Sequence, residues 1–94
     1  MYKDIYSEEI TKKLSKLKKK DQKQYEKVLK KIDQILANPQ HRYKELHFTM
    51  KGIKRVHIGH FVLVFTIDHI NKIISFEDYD HIMITYIYRN YNNY

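Results

Sequence analysis

Cysteine is absent from this 94-residue chain. The absence excludes disulfide bridges, thiolate metal sites and a cysteine nucleophile, so the fold must be stabilised by packing. Glycine and proline are scarce, with two residues and one residue respectively, and neither an internal repeat nor a linker rich in Gly, Pro and Ser divides the sequence. At this length we therefore expect one small domain.

Long apolar runs are also missing. Residues 1–10 contain no uninterrupted apolar stretch, and no later segment approaches the ~20 apolar residues that a membrane-spanning helix needs. We therefore expect a soluble cytoplasmic protein that does not act at a membrane. Positive charge is plentiful instead, because 18 Lys and Arg against 11 Asp and Glu give a formal net charge of +7. Such a surplus favours a polyanion or an acidic protein as the partner.

Residues 8–36 have the periodicity of two amphipathic helices. The first opens at Ser7 and carries an apolar stripe of Ile10, Leu14 and Leu17. The second opens at the capping residue Asp21 and is stopped by Asn38 and Pro39. Its stripe consists of Tyr25, Val28, Leu29, Ile32, Ile35 and Leu36. A connection as short as residues 18–20 predicts an antiparallel helical hairpin.

The pattern after Pro39 is typical of strands. Residues 55–58 and 61–67 predict two strands joined tightly at Gly59, and apolar residues on both sides of the second strand place it at the centre of the sheet. Residues 68–71 predict a turn, and residues 72–79 the returning strand. Residues 2–6 could add an N-terminal strand, and residues 43–48 a short or irregular one. We expect an α+β domain with a sheet of about four strands.

The order of these elements, together with two sequence segments, resembles the RelE/ParE toxin superfamily, in particular its short archaeal RelE-like members. The segments are YSEEITKKLSKLKKKDQKQYEKVLKKIDQILANP, similar to the family's paired helices, and MKGIKRVHIGHFVLVFTID, similar to its pattern of a Gly, two basic positions, a Gly, an aromatic residue and an apolar strand. The resemblance covers residues 2 to about 86. We therefore expect a RelE-like toxin domain over residues 1–86 and a polar, aromatic tail over residues 87–94.

The resemblance implies a mainly antiparallel sheet under the helical hairpin and a type II toxin that a small acidic antitoxin neutralises in an oligomeric complex. In the RelE branch it also implies a metal-independent endoribonuclease that cuts mRNA on the ribosome and needs no cofactor. An apolar groove between the hairpin and the sheet would suit an acidic amphipathic helix of the antitoxin.

Metal-free RNA cleavage requires a base for the 2′-hydroxyl, an acid for the 5′-oxygen and cations that stabilise the phosphorane. Arg55 and His57 occupy the family's two basic positions and, two apart on a strand, project from one face. Arg55 can donate two parallel hydrogen bonds to a phosphate, His57 can bind a phosphate only when protonated, and Lys54 and Lys51 extend the predicted RNA-binding patch. The alternative is a solvated strand face at the edge of the sheet.

His81 and Tyr86 fall where the family often has a histidine or another basic residue and then a tyrosine. A histidine can act as acid or base, and a tyrosine can stack on a base or share proton transfer. The alternative is that both pack a C-terminal tail against the sheet. The catalytic hypothesis requires this pair to meet Arg55 and His57 over one surface.

Two departures from the family's pattern weaken the enzymatic hypothesis. Val62 stands where RelE relatives usually have an arginine, and Ile82 replaces a polar residue. Losing one preorganised charge can cost ~2.7–4 kcal/mol of transition-state stabilisation. A catalytically inactive partner of an antitoxin, or a ParE-like gyrase inhibitor, therefore stays open as an alternative.

Three further patterns suggest functions that the sequence does not support. The six histidines show no helical spacing with a carboxylate partner that would indicate a zinc site. The many lysines of residues 12–31 are typical of a polar helix face, with at most nonspecific attraction to RNA. Glu77, Asp78 and Asp80 resemble a metal-dependent nuclease centre, but successive strand residues point to opposite faces, so the three cannot all converge.

Overall fold

The computed structural model describes residues 1–46 and 52–81. Its elements, in chain order, are β1 (Lys3–Tyr6), α1 (Glu8–Lys20), α2 (Gln22–Ala37), β2 (Lys44–Glu45), β3 (Lys54–Ile58), β4 (Phe61–Asp68) and β5 (Ile73–His81). The predicted α+β class, the helical hairpin and the meander are confirmed. The described residues form five strands rather than about four, and the two edge strands β1 and β2 lie within residues 2–6 and 43–48, where strands were predicted.

The two helices share a single capping residue. Ser7 starts α1 by accepting a hydrogen bond from the Ile10 N–H at 3.1 Å. The Asp21 N–H donates to the Leu17 carbonyl at 2.7 Å and closes α1, while the Asp21 carboxylate accepts from the Gln24 N–H at 3.1 Å and opens α2. The prediction that residues 18–20 form the connection is wrong, because they complete the last turn of α1. Their positive charge there suits the negative end of the helix dipole.

The helices bury their stripes against one face of the sheet, which we call the helix face. Their buried residues are Ile10 and Leu14 of α1 and Val28, Ile32 and Ile35 of α2. Leu29, also predicted for this stripe, is 38% exposed. It lies at the margin of the apolar arc, where the hairpin no longer covers it.

The sheet has the strand order β1-β5-β4-β3-β2. β1 runs parallel to β5, and the other neighbours are antiparallel. Residues 62–65 of β4 are each no more than 1% exposed, so the prediction of a central strand covered on both faces is confirmed. Leu63 and Phe65 pack on the helix face, whereas Val62 and Val64 pack with Leu46 and Ile53 on the other side, which we call the far face.

Two turns and one bulge set the register of the meander. Gly59, with φ +65°, permits the tight β3–β4 turn, in which Ile58 pairs with Phe61. In the β4–β5 turn the Asp68 carboxylate accepts hydrogen bonds from the backbone N–H groups of residues 70 and 71, both at 3.0 Å. Phe65 then pairs with Phe76 but Val64 pairs with Asp78, so Glu77 is left over as a β-bulge.

None of the helices in the described ranges combines the length and apolarity that a membrane span would require.

Candidate functional site

Arg55 and His57 lie together on the far face. The register of β3 pairs them with Val64 and Val62, so all four side chains start from one side of the sheet. Arg55 Nη1 lies 2.6 Å from His57 Nε2, and Arg55 Nε donates to the Glu45 carbonyl at 3.0 Å. The prediction that the two basic residues share a face is confirmed.

The contact between Arg55 and His57 constrains the imidazole. A guanidinium only donates, so Arg55 Nη1 can donate to His57 Nε2 only when that nitrogen carries no proton. Arg55 is half-buried and His57 is exposed. The site therefore combines a permanent cation, fixed at two of its nitrogens, with a neighbouring imidazole that is able to take up a proton.

Lysines near this pair divide between the two faces. Lys54 pairs with Phe65, whose side chain packs on the helix face, so Lys54 starts from the side opposite to Arg55. Lys44 of β2 pairs with Arg55 itself and shares its face. The sequence analysis placed Lys44 in a short strand but missed it as a site residue, because the sequence does not show that this strand pairs with β3. Lys51, predicted for the RNA-binding patch, lies outside the described residues.

His81, the last residue of β5, starts from the opposite face of the sheet to Arg55 and His57. It pairs with Phe61, on the helix face, and its ring lies edge-on to the Phe61 ring at 5.6 Å and stacks with the His60 ring at 6.4 Å between centroids. The expectation that His81 shares one surface with Arg55 is therefore not met. Tyr86, Ile82 and the tail over residues 87–94 lie outside the described residues.

Val62, at the position where the resembling family usually has an arginine, lies at the centre of the far face. It pairs with His57 on one side and with Asp80 on the other. It is 1% exposed and packs with Leu46 and Val64. An apolar, buried side chain thus lies beside His57, where the resembling family usually has an arginine.

Asp78 and Asp80 of β5 converge on Lys13 of α1. Lys13 Nζ donates to Asp78 Oδ1 at 2.8 Å and to Asp80 Oδ2 at 2.9 Å. Partial burial alone would lower the pKa of Lys13, but the two hydrogen bonds and the negative charge of both carboxylates outweigh it and raise the pKa above its ordinary value. The acidic cluster thus does converge in part, on a lysine. Within residues 1–46 and 52–81, three or more His, Asp or Glu side chains are nowhere grouped to hold a metal ion.

A groove of about 400 Å³ opens on the helix face, at the closed end of the hairpin. Its lining residues are Lys13, Lys16, Leu17, Lys20, Asp21, Gln24, Phe61, Tyr79 and Asp80. Phe61 and Tyr79 stack at 5.1 Å and form its apolar floor, and Gln24 Nε2 donates to the Tyr79 hydroxyl at 2.9 Å. Burial raises the pKa of Tyr79 above its ordinary value. The groove predicted from the resemblance is present, with three lysines at its rim.

Two relatives from archaea are similar to this chain over most of its length. A protein of Methanocaldococcus jannaschii, provisionally named toxin RelE4, is 45% identical over 82 residues, which are 86% of this chain and 86% of the relative. An uncharacterized protein of Methanosarcina mazei is 54% identical over 74 residues, which are 78% of this chain and 85% of the relative.

Two solved structures have the same fold. The crystal structure of the toxin–antitoxin complex RelBE2 from Mycobacterium tuberculosis contains a chain that matches with a TM-score of 0.70 at 18% identity, covering 85% of this chain and 96% of that one. The crystal structure of a YafQ mutant from E. coli matches with a TM-score of 0.60 at 19% identity, covering 86% and 93%.

Residues 5–78 match the family model described as the ParE toxin of the type II toxin–antitoxin system parDE. That match spans the first strand, the helical hairpin and most of the meander. With the RelE-like fold and the archaeal relatives, it establishes the family. The chain belongs to the ParE toxin family of type II toxin–antitoxin systems.

Proposed function

We propose that this toxin is a metal-independent endoribonuclease that cleaves mRNA at the ribosome. The observation that supports the proposal most is the contact between Arg55 and His57 on the face of the sheet that the helices leave free. A preorganised cation next to an imidazole is the minimum that phosphate binding and proton transfer require.

Arg55 would bind the scissile phosphate. Its Nε is used by the Glu45 carbonyl and one N–H of Nη1 by His57, which leaves one N–H on Nη1 and two on Nη2. The end of the guanidinium can therefore still donate two parallel hydrogen bonds to phosphate oxygens. Because the Glu45 carbonyl holds the guanidinium in place at Nε, little reorganisation is needed as negative charge develops on the phosphorane.

His57 would exchange the protons. In its neutral form it would accept the proton of the 2′-hydroxyl at Nε2, once Arg55 no longer donates to that nitrogen, while the 2′-oxygen attacks the phosphorus. The bond between the phosphorus and the 5′-oxygen would then break, and the imidazolium would give its proton to that leaving oxygen. Once protonated, both ring nitrogens donate, so the imidazolium can no longer accept from Arg55 and turns to the anionic phosphate instead. Lys44, paired with Arg55 on the same face, would add a positive charge to the RNA path.

The other predicted residues have subsidiary places in this proposal. His81 and Tyr86 are proposed for proton transfer or base stacking, and Lys51 and Lys54 for RNA contact. For His81 and Lys54 the register argues against a role at the phosphate that Arg55 binds, since both start from the helix face. We therefore assign the central steps to Arg55 and His57.

Purified protein added to ribosomes programmed with an mRNA, followed by primer extension, tests the proposal. We expect cuts in the codon at the A site, and we expect Arg55→Ala to lower the cleavage rate by about two to three orders of magnitude. Lys30→Ala is the matched control, because it removes a positive charge from an exposed position on α2, which packs on the other face of the sheet. Absence of cuts with the wild-type protein, or equal rates for Arg55→Ala and wild type, would refute the nuclease hypothesis.

Inhibition of DNA gyrase is the second candidate function. It is favoured by the match to the ParE model and by the buried Val62 in place of a second cation. A supercoiling assay with gyrase separates the two candidates, since inhibition in the absence of mRNA cleavage supports the ParE-like activity. A protein inactive in both assays that still binds an antitoxin would be the non-catalytic partner.

A small acidic antitoxin is the proposed partner. The groove on the helix face supports this, because an apolar floor with Lys16 and Lys20 at its rim suits an amphipathic helix with carboxylates along its sides. The M. tuberculosis structure of the same fold is that of a toxin–antitoxin complex.

A further inference from the structure

Two acidic residues of β5 are aligned, across β4, with the residues of β3 that form the proposed phosphate site. We call each such line of paired residues a row. Asp78 pairs with Val64, which pairs with Arg55, and Asp80 pairs with Val62, which pairs with His57. The two ends of each row are two strand spacings apart, which is about 10 Å. At that distance two carboxylates are close to one Debye length from an incoming RNA phosphate and would repel it.

The position of Lys13 offsets this repulsion. β1 ends at Tyr6, opposite Phe76, so β5 has no β1 partner beyond that point. Lys13 of α1 reaches the two carboxylates past this edge, at 2.8 and 2.9 Å. Asp80 lines the groove on the helix face together with Lys13, so its carboxylate is turned toward the helices although its backbone lies in the row of His57.

Backbone N–H groups of β5 also hold the two carboxylates in place. Asp78 Oδ1 accepts from the Tyr79 N–H and Asp80 Oδ1 accepts from the His81 N–H, both at 2.8 Å. Lys13 additionally contacts Glu9 one helical turn earlier, at 3.4 Å. Its side chain is 29% exposed, so this ion-pair network is shielded from solvent more than an ordinary surface pair.

From this geometry we propose that Lys13 is a positioning residue for RNA binding, which neutralises Asp78 and Asp80 and holds them at the rim of the sheet, away from Arg55 and His57. The inference rests on the proposed function, since it concerns RNA on the far face. It adds a residue of the helical hairpin to a site otherwise built from strands. Without Lys13, the two carboxylates would lose the positive charge that neutralises them in the rows of Arg55 and His57.

The test is the affinity for a single-stranded RNA with 2′-O-methyl groups, which cannot be cleaved because its nucleophile is blocked. Fluorescence anisotropy at about 50 mM KCl should show roughly three- to fivefold weaker binding for Lys13→Met, and the difference should shrink at about 300 mM KCl. Lys13→Arg, which keeps the charge, should bind like the wild type. The control Lys12→Met removes an equal charge from an exposed neighbour on α1 and should have a smaller effect.

The triple variant Lys13→Met, Asp78→Asn and Asp80→Asn separates the electrostatic role from a structural one. We expect it to regain wild-type affinity or exceed it, although it lacks the same ion pairs as Lys13→Met. If thermal unfolding shows both variants folded and both bind RNA like the wild type, Lys13 has only a structural role and the inference is wrong. Binding lost in Arg55→Ala but unchanged in Lys13→Met would refute this inference alone, whereas no RNA binding by the wild type would refute the proposed function as well.

Discussion

Lys72 is, among the described residues, the only non-glycine residue with a positive φ, at +55°. It closes the β4–β5 turn, after Asp68 has bound the N–H groups of residues 70 and 71. The left-handed conformation costs a residue with a Cβ roughly 1–2 kcal/mol, and glycine avoids this cost. Lysine is therefore an unfavourable residue at this position of the turn.

Lys72→Gly should raise the free energy of unfolding by about 0.5–1 kcal/mol, since relief of the strain exceeds the added flexibility of the unfolded chain. Urea unfolding followed by circular dichroism measures it. Lys12→Gly, within α1, is the control and should lower the same quantity by about 0.5–1 kcal/mol. A destabilised Lys72→Gly variant would show that the lysine side chain makes a compensating contact.

The sequence predicted the positions of some site residues correctly and failed for others. The spacing of Arg55 and His57 on a strand is enough to place them on one face, and the structure agrees. The side taken by His81 depends on the bulge at Glu77. An unbroken ladder would pair Val62 with Tyr79 and bring His81 to the far face, so the extra residue reverses the alternation, and no pattern in the sequence marks it.

Among the secondary-structure elements, the two helices are connected by the single residue Asp21. Its backbone N–H caps the end of α1 and its carboxylate caps the start of α2, so one residue replaces a loop between the helices. Periodicity predicted both helices correctly, but it could not predict this double use, because a terminal turn such as residues 18–20 has the same polar composition as a connection.

Asp21→Ala should lower the free energy of unfolding by about 0.5–2 kcal/mol, because the Gln24 N–H loses its capping acceptor. Asp33→Ala, an exposed position within α2, removes the same side chain without a cap and should change stability by less than about 0.5 kcal/mol. Chemical denaturation of both variants gives the comparison. Equal effects of the two substitutions would mean that the cap contributes nothing of its own.

The whole molecule carries its positive charge unevenly, with six lysines in α1 alone. Three of them border the groove on the helix face, although Lys13 is already paired with Asp78 and Asp80. Lys16 and Lys20 are therefore the cations left to attract a partner in that groove. Composition predicted a polyanion or an acidic protein as the partner, but only the folded chain shows which lysines are left for it.

The double variant Lys16→Glu and Lys20→Glu should weaken binding of the acidic antitoxin by about tenfold or more at low salt, and by less at about 500 mM NaCl, where charges are screened. Calorimetric titration with an acidic antitoxin of the proposed kind measures both losses. Lys27→Glu with Lys30→Glu reverses two exposed charges of α2 outside the groove and serves as the control. Equal losses in the two double variants would indicate general attraction rather than docking in the groove.

The parallel pairing of β1 with β5 affects when the sheet can form during synthesis of the chain. Residues 3–6 pair with residues 73–76, so the beginning of the chain must wait for most of the remainder before its edge of the sheet can form. Contacts between such distant segments form late and slowly. As long as residues 73–76 remain inside the ribosomal tunnel, the sheet therefore lacks its β1 edge, and the toxin fold is completed only after they emerge.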